Sequence, residues 1–386
     1  MRGQRVPGPL RVAVVTESFL PSRNGVTTSV CQVLEHLARC GHDAVVICPG
    51  PSPAGYQGFD VVAVPAISYR GFPVGLPTAV VQRTLAGFGP DVVHVASPFV
   101  LGAAGLAAAR RMDVPSVAVF QTDVAGFARR HHAGAAAGGV WRWIRRIHAQ
   151  ADLTLAPSSA ALRDLVAHGI TRVALWGRGV DTGLFSARRR AGPEVAALRR
   201  RLAPDGEIVV GYVGRLALEK RVERLACLTR MDGVRLAVVG DGPARPSVAR
   251  ALAPLGATLL GELGGEALAD AYACLDVFVH TGTAETFGQT LQEAMATGVP
   301  VVAPAAGGPL DLVRDGVTGL LYPPEDDAAL RRAVARLARD PPLRERMGRA
   351  GLAEVTPRTW QALGDQLLAH YVAAIRAHHG SVPLPA

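Results

Sequence analysis

Lysine is nearly missing from this 386-residue chain: Lys220 stands alone among 41 basic side chains, and Asn24 is the single asparagine. Both amino acids are read from AAN codons, so a GC-rich coding sequence accounts for their scarcity, though not for where the survivors stand. No G-x-x-x-x-G-K-[ST] occurs, which excludes a Walker-type NTPase, and no G-x-G-x-x-G opens the chain, so hydride chemistry on a dinucleotide is unsupported. Cysteines 31, 40, 48, 227 and 274 are odd in number and form no C-x-x-C. Neither a disulfide framework nor a zinc site is indicated, and a reducing cytoplasm suits them. The longest apolar run, Phe99 to Ala109, falls short of the roughly 20 residues that a spanning helix requires. The start, MRGQRVPGPL, lacks the apolar centre of a signal peptide. A soluble protein is expected, peripheral on the inner face of a membrane at most.

What is present points to two domains, since the chain is too long for one ordinary core and 49% of it is hydrophobic. Charge is divided unevenly: residues 1–190 hold 20 Arg against 10 acidic side chains, while 191–386 hold 21 basic against 22 acidic. The basic half suits an anionic partner, such as a membrane surface or an acidic acceptor, although Arg-rich composition also makes basic faces that meet nothing.

Short β-rich runs alternate with helical patterns, the mark of an α/β protein with parallel sheets covered on both faces. Strands are predicted at 11–16, 43–48, 60–65, 91–96, 115–120 and 152–157, with helices at 27–40, 78–87, 101–111, 137–150 and 158–168. After RVALW (172–176) comes GRGVDTGLFSARRRAGP, which has turn residues and no periodicity and reads as a linker. The winding restarts at 207–214, 234–240, 257–261, 276–280 and 299–304. Residues 1–180 are therefore expected to form one Rossmann-like domain, 181–200 a linker and 201–358 a second such domain. A helix at about 359–377 is placed to pack back on the first. Ligands of such sheets bind beyond the carboxyl ends of the strands.

The loops that follow strands hold the polar residues. In GRLALEK (214–220), Gly214 lets the chain turn, Arg215 offers a fork of donors for phosphate oxygens, and Lys220 offers a compact charge. Pairing of Arg215 with Glu219 or Glu223, with Lys220 merely on the surface, is the plain alternative. VGDGPAR (239–245) places Gly242 before a helix start, where backbone amides suit an anion. HTGTAETFGQTLQEAMATGVP (280–300) sets Glu285 before a helix and Glu293 about two turns inside it, so the two acids can meet one ligand at different heights. Phe287, Gly288 and Gln289 lie at the helix start, whose free amides favour an anion; capping by Glu285 and a solvated Glu293 are the plain readings.

In the first half, TESFLPSRNGVTTSV (16–30) carries Asn24 and Gly25, where a permissive backbone lets a phosphate or sugar approach. Gln121, Thr122 and Asp123 follow a strand end, where they can contact hydroxyls or, for Asp123, cap a helix. WRWIRRIHAQ (141–150) interleaves Trp141, Trp143, Ile144 and Ile147 with three arginines, a pattern that fits either an anionic bilayer or an ordinary helix with one side in the core. No nucleic-acid-binding module is recognisable.

With these residues assembled, the chain resembles the retaining family-four nucleotide-sugar glycosyltransferases of GT-B fold over essentially its full length. The resemblance is carried by E285TFGQTLQE293, similar to the family's E-x7-E motif, and by G214RLALEK220, V239GDGP243, the Gly25 loop and A306GGP309. It implies that Arg215 and Lys220 bind the donor diphosphate, Glu293 the ribose and Glu285 the transferred sugar, with amides of Phe287 to Gln289 on phosphate and sugar. TESFLPSRNGVTTSV, FQTDVAGFA and LAPSSAALRDLVAHGITRVALWGRGVD are similar to actinobacterial GDP-mannose-dependent α-mannosyltransferases of glycolipid assembly. Sulfoquinovosyl transferases usually read His-Thr-His where this chain has Gln121-Thr122-Asp123. Many family members carry a His there, so the acceptor side, with Asp123 as its catalytic candidate, departs from the pattern.

The expected reaction moves a hexose, α-mannosyl from GDP-mannose, to a lipid or glycolipid acceptor. It proceeds by front-face attack, without metal or other cofactor, and domain closure about 177–195 excludes water. The acidic run Glu325-Asp326-Asp327 follows two prolines and reads as a helix start. A UDP-sugar-dependent transferase with a small natural-product or sulfolipid-type acceptor is the alternative. A sugar-nucleotide epimerase-like enzyme is a second, and a non-catalytic nucleotide-binding protein a third.

Overall fold

The computed structural model describes residues 8–22, 24–69, 72–121, 137–229 and 231–380. The chain divides into two compact units, Met1–Arg178 with Trp360–Ala386, and Gly179–Thr359.

The first unit contains β1 (Arg11–Val15), α1 (Gly25–Arg39), β2 (Asp43–Pro49), β3 (Gly55–Tyr56), β4 (Phe59–Val64), β5 (Ala66–Tyr69) and β6 (Phe72–Gly75). It continues with α2 (Ala79–Phe88), β7 (Val92–Val95), α3 (Val100–Arg111), β8 (Ser116–Val119), α4 (Ala137–His148), β9 (Leu153–Ala156), α5 (Ser159–Ala167) and β10 (Val173–Leu175). The sheet order is β10-β9-β8-β7-β1-β2-β4-β3, parallel except where β3 turns back on β4. Runs such as Val12–Val15 are wholly buried because helices cover both faces. The C-terminal helix Trp360–His378 buries Leu363, Leu367 and Tyr371 in this unit's core, where Trp176 Nε1 donates to the Leu363 carbonyl at 2.9 Å.

The second unit contains α6 (Pro193–Leu202), β11 (Ile208–Val213), β12 (Val234–Val239), α7 (Arg245–Leu252), β13 (Thr258–Gly261), α8 (Gly265–Ala273), β14 (Val277–Val279) and α9 (Gln289–Ala296). Then come β15 (Val301–Pro304), α10 (Pro309–Leu312), β16 (Gly319–Tyr322), α11 (Asp327–Arg339) and α12 (Pro341–Val355). All six strands are parallel in the order β13-β12-β11-β14-β15-β16. The winding direction reverses between β11 and β14, so the loops that leave these two neighbours diverge and open a crevice at their carboxyl ends.

One sequence expectation needs correction. The stretch 181–200 is not a linker. Asp181 accepts from the Gly183 and Leu184 amides, a 3-10 turn covers Ala187–Ala191, and Phe185, Val195 and Leu202 lie in the second unit's core. Its arginines are structural: Arg189 pairs with Asp270, Arg199 with Asp276, and Arg190 donates to the Leu275 carbonyl. Crowding by Arg hides the few apolar positions that make α6 amphipathic.

Lys220 lies on a 3-10 turn after β11. Leu218–Lys220 is a single 3-10 turn, ended by Arg221 in the left-handed region at φ 50°, and a second 3-10 segment follows over Val222–Leu228. Finally, β16 and the β5–β6 hairpin, closely flanked by Gly and Pro, do not stand out as strands in the sequence.

Candidate active site

The residues singled out in the second unit leave the two strands at the reversal point. After β11, Gly214 takes φ 148° and the Tyr212 hydroxyl donates to the Arg215 carbonyl at 3.2 Å. Arg215 is exposed. The Gly240–Gly242 turn after β12 lies directly against this loop: Leu216 donates to the Asp241 carbonyl, and Ala244 donates back to that of Leu216, both at 2.9 Å. Gly242 sits at φ 152°, where a Cβ would stand 2.4 Å from the Leu216 carbonyl oxygen. Backbone proximity, rather than an anion, therefore suffices to require glycine there.

From the other side of the crevice, the loop after β14 delivers Glu285. Its Oε2 lies 2.6 Å from Lys220 Nζ, with the two side chains 16% and 26% exposed. Burial alone pushes this carboxyl up, but Lys220 and His280, helped by the Phe287 amide, outweigh burial and hold it at about 2. The lone lysine is thus neither a surface residue nor a free one. Gly307, at φ 64°, and Gly308 pack on this loop so closely that a Cβ on either would stand 2.4 and 2.2 Å from the Glu285 and Phe287 carbonyl oxygens. Gly308 also donates to the Glu285 carbonyl at 2.8 Å. The A306GGP309 motif is the clamp that fixes the height of Glu285.

Phe287 is buried and Gly288 takes φ 105° to turn the chain into α9. The first amides of that helix lack intrahelical acceptors. Gln289 donates to the Gly179 carbonyl at 3.2 Å and to Glu293 at 3.3 Å, while the Tyr272 hydroxyl donates to Glu293 at 2.8 Å. Burial raises the Glu293 carboxyl to about 7 against these two donors.

That shift has a consequence for stability. The folded value lies above the ordinary carboxylate value, so the associated stability is full below about pH 4.5 and is lost as pH rises through about 7. The loss is on the order of 3 kcal/mol for such a displacement. Glu293→Gln is accordingly expected to melt at a higher temperature than the parent at pH 8, with the difference vanishing near pH 4.5. Thermal melts across that range test it, and a difference independent of pH would refute it.

In the first unit, Asn24 is the N-cap of α1, its Oδ1 accepting from the Val26 and Thr27 amides at 3.0 and 3.1 Å while Nδ2 donates to Ser18. Gly25 needs no special backbone region. A Cβ there would stand 2.6 Å from an Arg178 guanidinium nitrogen, so space, not conformational freedom, is what glycine supplies. Arg178 also donates to Gln121 Oε1 at 2.9 Å, which draws Gly25, Arg178 and the largely buried Gln121 into one cluster. Thr122 and Asp123 lie outside the described residues.

Sequence reasoning missed Arg178, Tyr272, His280 and Glu17, whose Oε1 accepts from the Gly102 amide at the start of α3 at 3.0 Å. His280 was the most findable, being the polar end of DVFVH; Tyr272 carries no local signal at all.

The tryptophan helix α4 turns its apolar side inward. Trp141, Ile144 and Ile147 are buried, and Trp141 stacks on His168 at 3.7 Å between ring centroids. Arg142, Arg145 and Arg146 face out. Among the described residues, no helix is long and apolar enough to cross a membrane.

The run Glu325-Asp326-Asp327 serves the fold: Asp326 caps α11, and the other two pair with Arg221 and Arg224. One trio of possible metal ligands, His36, Cys40 and Asp365, converges in the first unit. Arg39 donates to His36 Nδ1 at 2.9 Å, so the ring proton sits on Nε2 and points to Asp365 at 3.3 Å and Cys40 at 3.5 Å. The trio is therefore satisfied as a hydrogen-bonded cluster.

Residues 23–184 match the Glycosyltransferase Family 4 model, and residues 196–353 match Glycosyl transferases group 1. A relative from Mycolicibacterium smegmatis, the GDP-mannose-dependent alpha-mannosyltransferase, is 50% identical over 95% of this chain and 98% of its own. The protein of that name from Mycobacterium tuberculosis is 48% identical over 94% and 97%. The chain belongs to the family-four glycosyltransferases. Anabaena HepE, solved in complex with UDP, superposes on this glycosyltransferase with a TM-score of 0.79 and 19% identity, covering 94% of this chain and all of HepE. The fold is GT-B, with a parallel Rossmann-like sheet in each unit.

Proposed function

We propose that this glycosyltransferase moves an α-mannosyl group from GDP-mannose to a lipid or glycolipid acceptor, with retention and without a metal. The observation that carries the donor is the name shared by two relatives that match nearly the whole chain at 48% and 50% identity. The acceptor class is supported by the basic first half and by the outward arginines of α4, which suit anionic headgroups through charge alone.

Transfer builds positive charge on the sugar and negative charge on the departing nucleoside diphosphate. Cations fixed beside the diphosphate therefore stabilise the transition state more than the ground state. Arg215 and Lys220 fill that role, the first amides of α9 add partial positive charge, and Glu293 accepts from ribose hydroxyls. Glu285 orients the sugar while the leaving phosphate takes the acceptor proton. Gln121, with Arg178 behind it, belongs to the acceptor side, as do Thr122 and Asp123.

Thermal-shift titration with GDP-mannose, UDP-glucose, UDP-GlcNAc and UDP-sulfoquinovose tests the donor. At about 100 times its dissociation constant a ligand adds roughly 2.7 kcal/mol to stability, which is expected for GDP-mannose. A shift with UDP-sugars alone would sink the mannosyl assignment.

A further inference from the structure

If Lys220 grips a diphosphate, it cannot keep its present hold on Glu285. Nζ lies 2.6 Å from Oε2, and the carboxylate is only 16% exposed. Drawing the ammonium towards phosphate leaves that carboxylate with little water and no counter-charge, which such a group tolerates poorly. A second cation near the same oxygen would resolve the conflict.

His280 stands there. It directly follows the strand that delivers Glu285, its side chain is 2% exposed, and its Nε2 lies 3.8 Å from the same Oε2. Neither ring nitrogen makes a well-aligned hydrogen bond; the Gly282 backbone beside the ring offers only a weak contact, which favours the protonated form. Other buried histidines have partners: His94 meets the Tyr371 hydroxyl at 2.8 Å, and His148 meets Thr154 at 3.0 Å. An unpaired buried imidazole calls for an explanation.

The titratable groups around it, by element, are Lys220 from the 3-10 turn after β11 and Glu285 from its own loop. Tyr322 on β16 donates to the His280 carbonyl at 3.0 Å, and Tyr212 on β11 feels the Glu285 charge. Burial pushes the imidazole down to about 4; Glu285 pulls it up, and Lys220 adds to the downward push.

We propose that His280 is the positioning residue that takes over the Glu285 carboxylate when a diphosphate draws Lys220 away. The departure of Lys220 removes a repelling cation from the imidazole and leaves it the unpaired carboxylate, so both changes favour uptake of one proton from solvent. Nε2–H then donates to Oε2 and keeps Glu285 at the height set by Gly307 and Gly308. The exchange rests on the diphosphate role proposed for Lys220, whereas the coupling of His280 to Glu285 does not.

Nitrogen NMR of histidine-labelled protein, with the signal assigned through His280→Gln, tests both. In Lys220→Met the titration midpoint of His280 is expected to rise by two pH units or more, and in Lys220→Met with Glu285→Gln to stay low. Adding inorganic pyrophosphate or GDP to the parent enzyme at pH 7 is expected to move the ring towards the protonated form. In turnover assays His280→Leu should lose up to about a hundredfold in kcat, the scale of a misplaced reacting group, while binding GDP within about twofold of the parent. His280→Gln, which keeps an N–H donor, should recover part of that loss.

A midpoint that is the same in the parent and Lys220→Met, or that rises equally without Glu285, overturns the proposal. So does GDP binding that leaves the His280 signal unmoved. If GDP does not bind at all, the donor reading fails while the Lys220→Met comparison still reads the coupling. Should Lys220→Met not fold, the pyrophosphate titration of the parent decides.

Discussion

Glu285→Gln is expected to lower turnover by about 10²–10³-fold, the usual cost of removing one preorganised group from a transition state, while GDP still binds. The amide keeps the shape of the side chain and still faces the Phe287 N–H, so the loop held by Gly307 and Gly308 stays in place. What disappears is the charge that orients the sugar and balances Lys220. The sign of the stability effect follows from the depressed carboxyl. A value of about 2 lies below the ordinary one, so the stabilisation is present above about pH 4.5 and is lost as pH falls through about 2. Its size is on the order of 3 kcal/mol at neutral pH if solvent screening is ignored, and less in this partly exposed pair. The parent should therefore be more stable than Glu285→Gln at pH 7 and converge with it in acid. Steady-state kinetics with paired thermal melts at pH 7 and pH 3 check this, and a variant with full transfer activity would remove Glu285 from the mechanism.

Lys220→Arg keeps the charge and is nonetheless expected to lose about 10²-fold in kcat, the scale of a misplacement of about 1 Å in a reacting constellation. The loop around Lys220 has little slack. Thr281 Oγ1 donates to its carbonyl at 2.7 Å, and a Cβ on Gly282 would already stand 3.4 Å from its Cα. A longer, planar guanidinium must displace Glu285 or grip it through two nitrogens at once, and a bidentate hold is harder to release to a diphosphate. GDP affinity should stay within a few-fold, because the cation remains, and the melting temperature should stay close to that of the parent. The combination that counts is slow turnover with retained nucleotide affinity; unimpaired turnover would return the single lysine to codon bias alone.

Periodicity alone exposed the α/β alternation, because parallel strands buried on both faces are nearly continuous apolar runs such as Val12–Val15 and Val209–Val210. It also placed Lys220, Glu285 and Glu293 in loops or helices that follow strands, since chain order decides which residue comes after which strand. Segments whose structure depends on distant partners were out of reach. The arginines of 187–199 look like a charged linker until Asp270, the Leu275 carbonyl and Asp276 are brought to them. That the Asn24 oxygen caps the first turn of α1 likewise shows only in the fold.

The sequence by itself determined most of the strands and helices, the family motifs and the short list of acids and cations, because these depend on residue type and local spacing. Only the tertiary structure decided which of them meet. The reversal of winding between β11 and β14 brings Lys220 and Glu285, 65 positions apart, to 2.6 Å, and it seats His280 beside both. Contact between charges in loops that follow different strands depends on sheet order, and sheet order follows from how the whole unit packs rather than from any one segment.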